Sequence, residues 1–178
     1  HERPYEFPGP PGEQYASPSL EAQVADLADE ITYYSHDLDD ALDFEILTPA
    51  RLEENEVWRN SHRAVLARYA NAGQPELHKL VIREIIDREV HDLVATSAES
   101  IAESSLQSAD DVRRQTAPLI RYSDELAEAN RALRKFLYQN VYYHRRVAEV
   151  NQRACEMLRR VFEAYVGDPD RLGEGAMR

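Results

Sequence analysis

The sequence predicts an all-α fold, a multi-helix bundle. Three observations carry that prediction. Apolar residues recur at spacings of three and four along most of the chain, no segment alternates apolar and polar residues with the period of a half-buried strand, and helix start and stop signals fall between the periodic stretches. With 178 residues, 43% of them apolar, the chain has room for one domain with a sizeable core. No apolar run approaches the roughly 18 residues that a membrane span needs, so no membrane partner is expected.

The elements follow in order. Residues 1–17 hold four prolines and two glycines, which remove donors and favour turns, and they are expected to form a proline-rich loop. Ser17 before Pro18 is a helix start, because proline at the first helical position gives up an amide that lacks a partner anyway. The first helix is expected over 18–46. Thr48 and Pro49 repeat the signal, and a second helix carrying Trp58, Val65, Leu66 and Tyr69 should run until Asn71–Pro75 breaks it. A third, over 76–106, sets Val81, Ile82, Ile85, Ile86, Val90, Leu93, Val94 and Ile101 on one stripe. Its other face offers Arg83 with Asp87 and Glu84 with Arg88, each four apart, as solvated pairs. A polar joint at 107–123 containing Pro118 precedes two further helices, 124–142 and 144–166. Gly167-Asp168-Pro169 stops the last of them and leaves a tail over 167–178. The one cysteine, Cys155, has no partner for an internal disulfide and sits among apolar residues at helical spacing, which predicts a buried small hydrophobe. Nothing asks for an oxidising compartment, and the expected localisation is cytoplasmic.

Charge is unevenly placed. The net charge of −12 argues against general affinity for nucleic acid, yet no Lys or Arg lies between Arg3 and Arg51 while residues 18–46 carry nine carboxylates. Residues 131–160 hold eight Lys and Arg against Glu149 and Glu156. The two halves can pair across the fold or across subunits; the basic block can also serve as an anion site for nucleotide phosphates or a nucleic-acid strand.

The first helix has two organised faces. At 100° per residue, Leu20, Val24, Leu27, Ile31, Tyr34, Leu38 and Leu42 share one stripe, and Ala22, Asp26, Asp29, Tyr33, Asp37 and Asp40 share the opposite one. The second stripe is either a solvated acidic face or a surface for a cation or a basic partner. Carboxylates suit a hard divalent ion, but one helix rarely builds a whole site. The chain has no ExxH, HExxH, CxxC, GxSxG or glycine-rich phosphate loop. Its two His-Asp dipeptides, His36-Asp37 and His91-Asp92, are weak signals alone, and His62, His78 and His144 are isolated.

The string LEAQVADLADEITYYSHDLDD, residues 20–40, resembles the fourth conserved block of the deoxynucleoside triphosphate triphosphohydrolases, the dGTPase-like enzymes of the HD superfamily. NRALRKFLYQNVYYHRRV, residues 130–147, resembles the C-terminal helical block of their bacterial members. The resemblance implies an HD-domain-like bundle and a divalent metal, Mg, Mn or another transition metal, held by a His, a His-Asp pair and a final Asp. That final Asp matches Asp29. The residues that contact the deoxyribose match Tyr33 and Asp37. It further implies hydrolysis of a dNTP to deoxynucleoside and triphosphate, and a homo-oligomer. Thr32 and Tyr34 depart from the residues usual at their positions. The family's first His and its His-Asp pair belong well before this helix; the chain begins at His1 with no such stretch before residue 18, and His36-Asp37 falls after the Asp29 position. Residues 18–166 are therefore expected to be the C-terminal part of such an enzyme, inactive without an upstream HD segment. Lys79 and Arg83 are candidates for phosphate contact, with an Arg83–Asp87 ion pair as the preferred reading of Arg83.

The competing reading is a non-catalytic acidic helical module that docks a basic partner. The two readings part on Asp29 and Tyr33: an enzyme fragment is expected to bury both on a concave surface, and a docking module to leave them exposed.

Overall fold

The computed structural model describes residues 7–8, 14–70 and 73–173, and within them the all-α expectation holds. The exception is a short antiparallel pair, β1 (Phe7–Pro8) against β2 (Gln14–Tyr15), in register Phe7 with Tyr15 and Pro8 with Gln14. Residues 1–6 and 9–13 of the expected proline-rich loop lie outside the described residues. Two units are distinguished, residues 1–136 and 137–178.

In the first unit, α1 (Leu20–Asp43) starts where Ser19 accepts a hydrogen bond from the Ala22 amide. It stops three residues short of the expected end because Glu45 adopts a left-handed conformation (φ 54°). The Ile46 amide then bonds back to the Ala41 carbonyl at 2.8 Å and the Glu45 amide to Leu42 at 3.0 Å. The expected second helix is divided. Thr48 caps α2 (Pro49–Leu52), and Asn55 then accepts from the Trp58 amide at 3.2 Å and starts α3 (Glu56–Arg68). A buried capping side chain thus interrupts a pattern that reads as continuous from spacing alone.

α4 (Gln74–Glu103) opens after Gly73 with Pro75 in its first turn. Its buried stripe steps by four through Leu77, Val81, Ile85, Glu89, Leu93 and Ser97. Val90 and Val94, expected in the core, are 43% and 63% exposed. With Ile82 also buried, the stripe admits two polar residues and leaves two valines outside. Glu84 pairs with Arg68 of α3 at 2.7 Å, across helices, where an intrahelical partner at Arg88 was expected.

The stretch 107–123 differs most from expectation. It contains α5 (Ala109–Arg113), capped by Ser108, and then an extended segment whose Leu119, Ile120 and Tyr122 are all buried. Ile120 and Tyr122 form one core cluster with Ile31 of α1, Leu93 of α4 and Leu126 of α6 (Asp124–Leu137). No regular element satisfies the amides of this segment, so side chains do. Gln23 Oε1 accepts from the Leu119 and Ile120 amides at 2.9 and 3.1 Å, while its Nε2 donates to Ser17 Oγ and the Pro18 carbonyl. Ser97 Oγ accepts from the Arg121 amide at 3.0 Å. Asp92 accepts from the Ser123 amide and hydroxyl at 2.8 and 2.7 Å, and Ser123 in turn caps α6 through the Leu126 amide.

In the second unit, the helix expected over 124–142 changes character: residues Tyr138–Tyr142 form a π-helical turn in which the Tyr138 and Tyr142 rings meet edge to face at 4.8 Å. α7 (Arg145–Gly167) follows and gives way to a 3₁₀ turn at Pro169–Leu172, within the expected tail. Met157, Leu158 and Phe162 are 68%, 68% and 69% exposed. Cys155 is exposed as well, so the expectation of a buried thiol is corrected. Helical spacing shows that these residues share a face, not that anything covers it.

Two outcomes test this account. Gln23→Ala leaves two buried amides without an acceptor and should lower stability by about 2–4 kcal/mol in a denaturant titration; a loss within experimental error would show the clamp to be dispensable. Cys155 should react with a disulfide reagent in the native chain within a few-fold of its rate in denaturant, and strong native-state protection would contradict its exposure.

Candidate functional site

The core face of α1 is built from Ile31, Tyr34, Leu38 and Ala41, all buried, with Leu20, Leu27 and Leu42 half-buried. Val24 is 48% exposed and Gln23 is buried in its region, because the helix's first turns meet a segment that needs a hydrogen-bond acceptor more than another methyl group. On the opposite stripe Ala22, Asp26, Asp29, Tyr33 and Asp40 are exposed and Asp37 is half-buried. The burial expected for Asp29 and Tyr33 is therefore not met in this chain: Tyr33 is 55% exposed. Its ring lies edge-on to Tyr34 at 5.8 Å, and Tyr34 is anchored in the core. Asp29, Tyr33 and Asp37 follow one another at intervals of four along about 12 Å of helix.

A cavity of about 200 Å³ adjoins this helix, lined by Leu27 and Glu30 of α1, by Tyr122, and by Asn130, Arg131 and Arg134 of α6. Burial pushes the Glu30 carboxyl above its ordinary range, the Arg134 guanidinium opposes that shift and Asp26 adds to it. Arg131 spends its Nε–H on the Ala127 carbonyl at 3.2 Å. Two cations of the basic block thus stand within the first unit, around the residue that follows Asp29.

Other candidate residues have structural employment. Asp92 of the second His-Asp dipeptide holds Ser123, and His91 lies 2.6 Å from the Asp87 carbonyl. His62 pairs with Glu53, and His78 stands against the Trp58 ring at a centroid distance of 6.3 Å. Lys79 and Arg83 are exposed on α4, and His36 is exposed on α1. Among the described residues no three His, Cys, Asp or Glu side chains are grouped to hold a metal ion. Among the described residues no helix is long and apolar enough to cross a membrane. The cavity around Glu30, the Gln23 clamp and buried Glu89 carried no motif; the one signal was their position, polar residues at core spacing on otherwise apolar stripes.

Residues 120–177, which include α6 and α7, match the phosphohydrolase-associated domain family. Over most of its length it is also similar to full-length bacterial proteins. It is 38% identical over 156 residues, 87% of this chain and 40% of the relative, to the deoxyguanosinetriphosphate triphosphohydrolase-like protein of Geobacter metallireducens. The proteins of the same name from Bordetella pertussis and Azoarcus sp. share 37% identity over 164 residues and 36% over 152, covering 90% and 85% of this chain and 42% and 40% of theirs. The chain belongs to this dGTPase-like family. It spans about two fifths of the length of the curated relatives it matches.

Arg134→Ala should raise the Glu30 carboxyl pKa further, since it removes the opposing cation. Carboxyl-carbon NMR titration reads this directly; a lowered or unchanged value would show that Arg134 does not act on Glu30.

Proposed function

We propose that this chain is part of a metal-dependent enzyme that hydrolyses deoxynucleoside triphosphates to deoxynucleoside and triphosphate. The observation that supports this reading is the 38% identity over 87% of the chain to a dGTPase-like relative, with Asp29, Tyr33 and Asp37 at intervals of four along one helix whose other face is fixed in the core; the exposure of Asp29 and Tyr33 counts against it. A side chain on such a helix keeps its position without having to be buried itself, and the relatives contain roughly one and a half times as much chain again to set against it. In this reading Asp29 is one ligand of a divalent cation whose remaining ligands, a His and a His-Asp pair, come from an HD segment outside the described residues. Tyr33 and Asp37 hold the sugar: a phenol can donate to or accept from a hydroxyl, and a carboxylate accepts from one. Arg131 and Arg134, at the cavity around Glu30, place positive charge beside the acidic face, where a triphosphate requires it. The chain by itself should not turn over substrate, having one ligand of the set.

A second reading keeps one observation in its favour. Exposure of Asp29 and Tyr33 is what an acidic docking helix for a basic partner would show.

The test joins this chain to the HD segment of the full-length enzyme and supplies a divalent metal and a dNTP. Inorganic triphosphate is the expected product; pyrophosphate or orthophosphate would make the proposed chemistry wrong. Asp29→Ala in the same protein should lower turnover by at least about a thousandfold, as loss of a group acting at the reacting centre does. Full activity in that variant would remove Asp29 from the site and favour the docking reading.

A further inference from the structure

α7 has no buried residue, and its large apolar side chains stand exposed. Their placement follows a seven-residue repeat. In heptads abcdefg with a at Val147, positions a and d hold Val147, Val150, Ala154, Met157, Val161 and Ala164 over three repeats. Position g is Arg146, Arg153 and Arg160, and position c is Glu149, Glu156 and Glu163. The glutamates lie behind the arginines, away from the apolar seam, and Glu149 pairs there with Arg145 at 2.7 Å. A helix surrounded by water has no reason to keep such a seam. Apolar residues that alternate three and four apart are what a second helix packs against.

Three observations select a second copy of this chain as that helix. The exposed side chains of Val150, Met157, Leu158, Val161, Phe162 and Tyr165 present roughly 700 Å² on each copy, comparable to the roughly 800 Å² each partner buries in a standard interface. Two chains of net charge −12 repel each other, and α7, with five arginines against three glutamates, is an element where their approach is not opposed. The acidic stripe of α1 would match those arginines in charge, but its exposed residues are carboxylates, Tyr33 and one alanine, which leave an apolar seam uncovered.

We propose that α7 pairs with α7 of a second copy as a parallel two-helix coiled coil. In a parallel pair each g residue lies beside the e residue five positions on in its partner. Arg153 then lays its stem over the partner's Leu158, and Arg160 sets its guanidinium against the partner's Tyr165. An antiparallel pair would place g against g, arginine upon arginine, and like charges so juxtaposed oppose association. Valine at two of the three a positions also favours two strands. This inference does not depend on the proposed hydrolase activity.

In sedimentation equilibrium the 178-residue chain should pass from 20.5 kDa to twice that mass as its concentration rises. The transition is expected between about 1 and 100 µM, the range of a modest interface. Met157→Glu puts a carboxylate into the seam and should weaken pairing at least about a hundredfold. Arg159→Glu, on the face away from the seam, should change it by less than about threefold. Orientation is read from Val147→Cys in a Cys155→Ser chain. Parallel helices bring the two new thiols together and an intersubunit disulfide should form under mild oxidation, whereas antiparallel helices hold them roughly 25 Å apart. Should Met157→Glu lose helix by circular dichroism, the crosslink decides alone. A native chain that stays at 20.5 kDa at about 100 µM would overturn the pairing. So would a folded Met157→Glu chain that dimerises like the native one, or a Val147→Cys chain that forms no crosslink. Binding of phosphatidylglycerol vesicles by a chain that remains monomeric would give the face to a lipid surface instead.

Discussion

Residues 119–123 cross the interior as an extended segment, and their amides cannot be met by any helix or strand of their own. The first unit is organised around how those amides are satisfied. Gln23 of α1 meets two of them, and Ser97 and Asp92 of α4 meet two more. Those bonds hold Ile120 and Tyr122 in the cluster with Ile31, Leu93 and Leu126, so the apolar core and the polar pins locate each other. An unmet buried amide is disfavoured by about 1–3 kcal/mol, comparable to what a well-buried leucine contributes, and the segment therefore has little freedom to shift. The same pins set the start of α6, because Asp92 holds the serine that caps it.

From that arrangement follows the division of labour on α1. The core stripe and Gln23 fix the helix from one side, and Asp29, Tyr33 and Asp37 lie on the other. The edge between the two faces is where Glu30 and Leu27 meet α6, and the cavity there brings arginines to a helix that has no positive charge of its own. Membership in the dGTPase-like family gives this face a context, since the relatives are more than twice as long as the matched region.

The helices, their approximate limits and the acidic stripe were legible in the sequence, because spacing, capping residues and charge are local properties. The split at Asn55 was not, since a capping side chain inside an amphipathic run looks like one more polar residue. Nor was the burial of Glu89, a charged residue at core spacing, or the exposure of Cys155, which reads as core. In each case periodicity told which residues share a side of a helix and was silent on what, if anything, lies against that side.

By itself the sequence determined an all-α chain, the position of α1 with its two faces, and a resemblance strong enough to lead to the family that comparison then established. Tertiary structure alone decided that a polar joint is core, that a glutamine holds it, and that the acid Glu89 is buried. The reason is physical: helix formation depends on residues three and four apart, whereas the satisfaction of a buried amide or carboxyl depends on partners about 30 to 100 positions away.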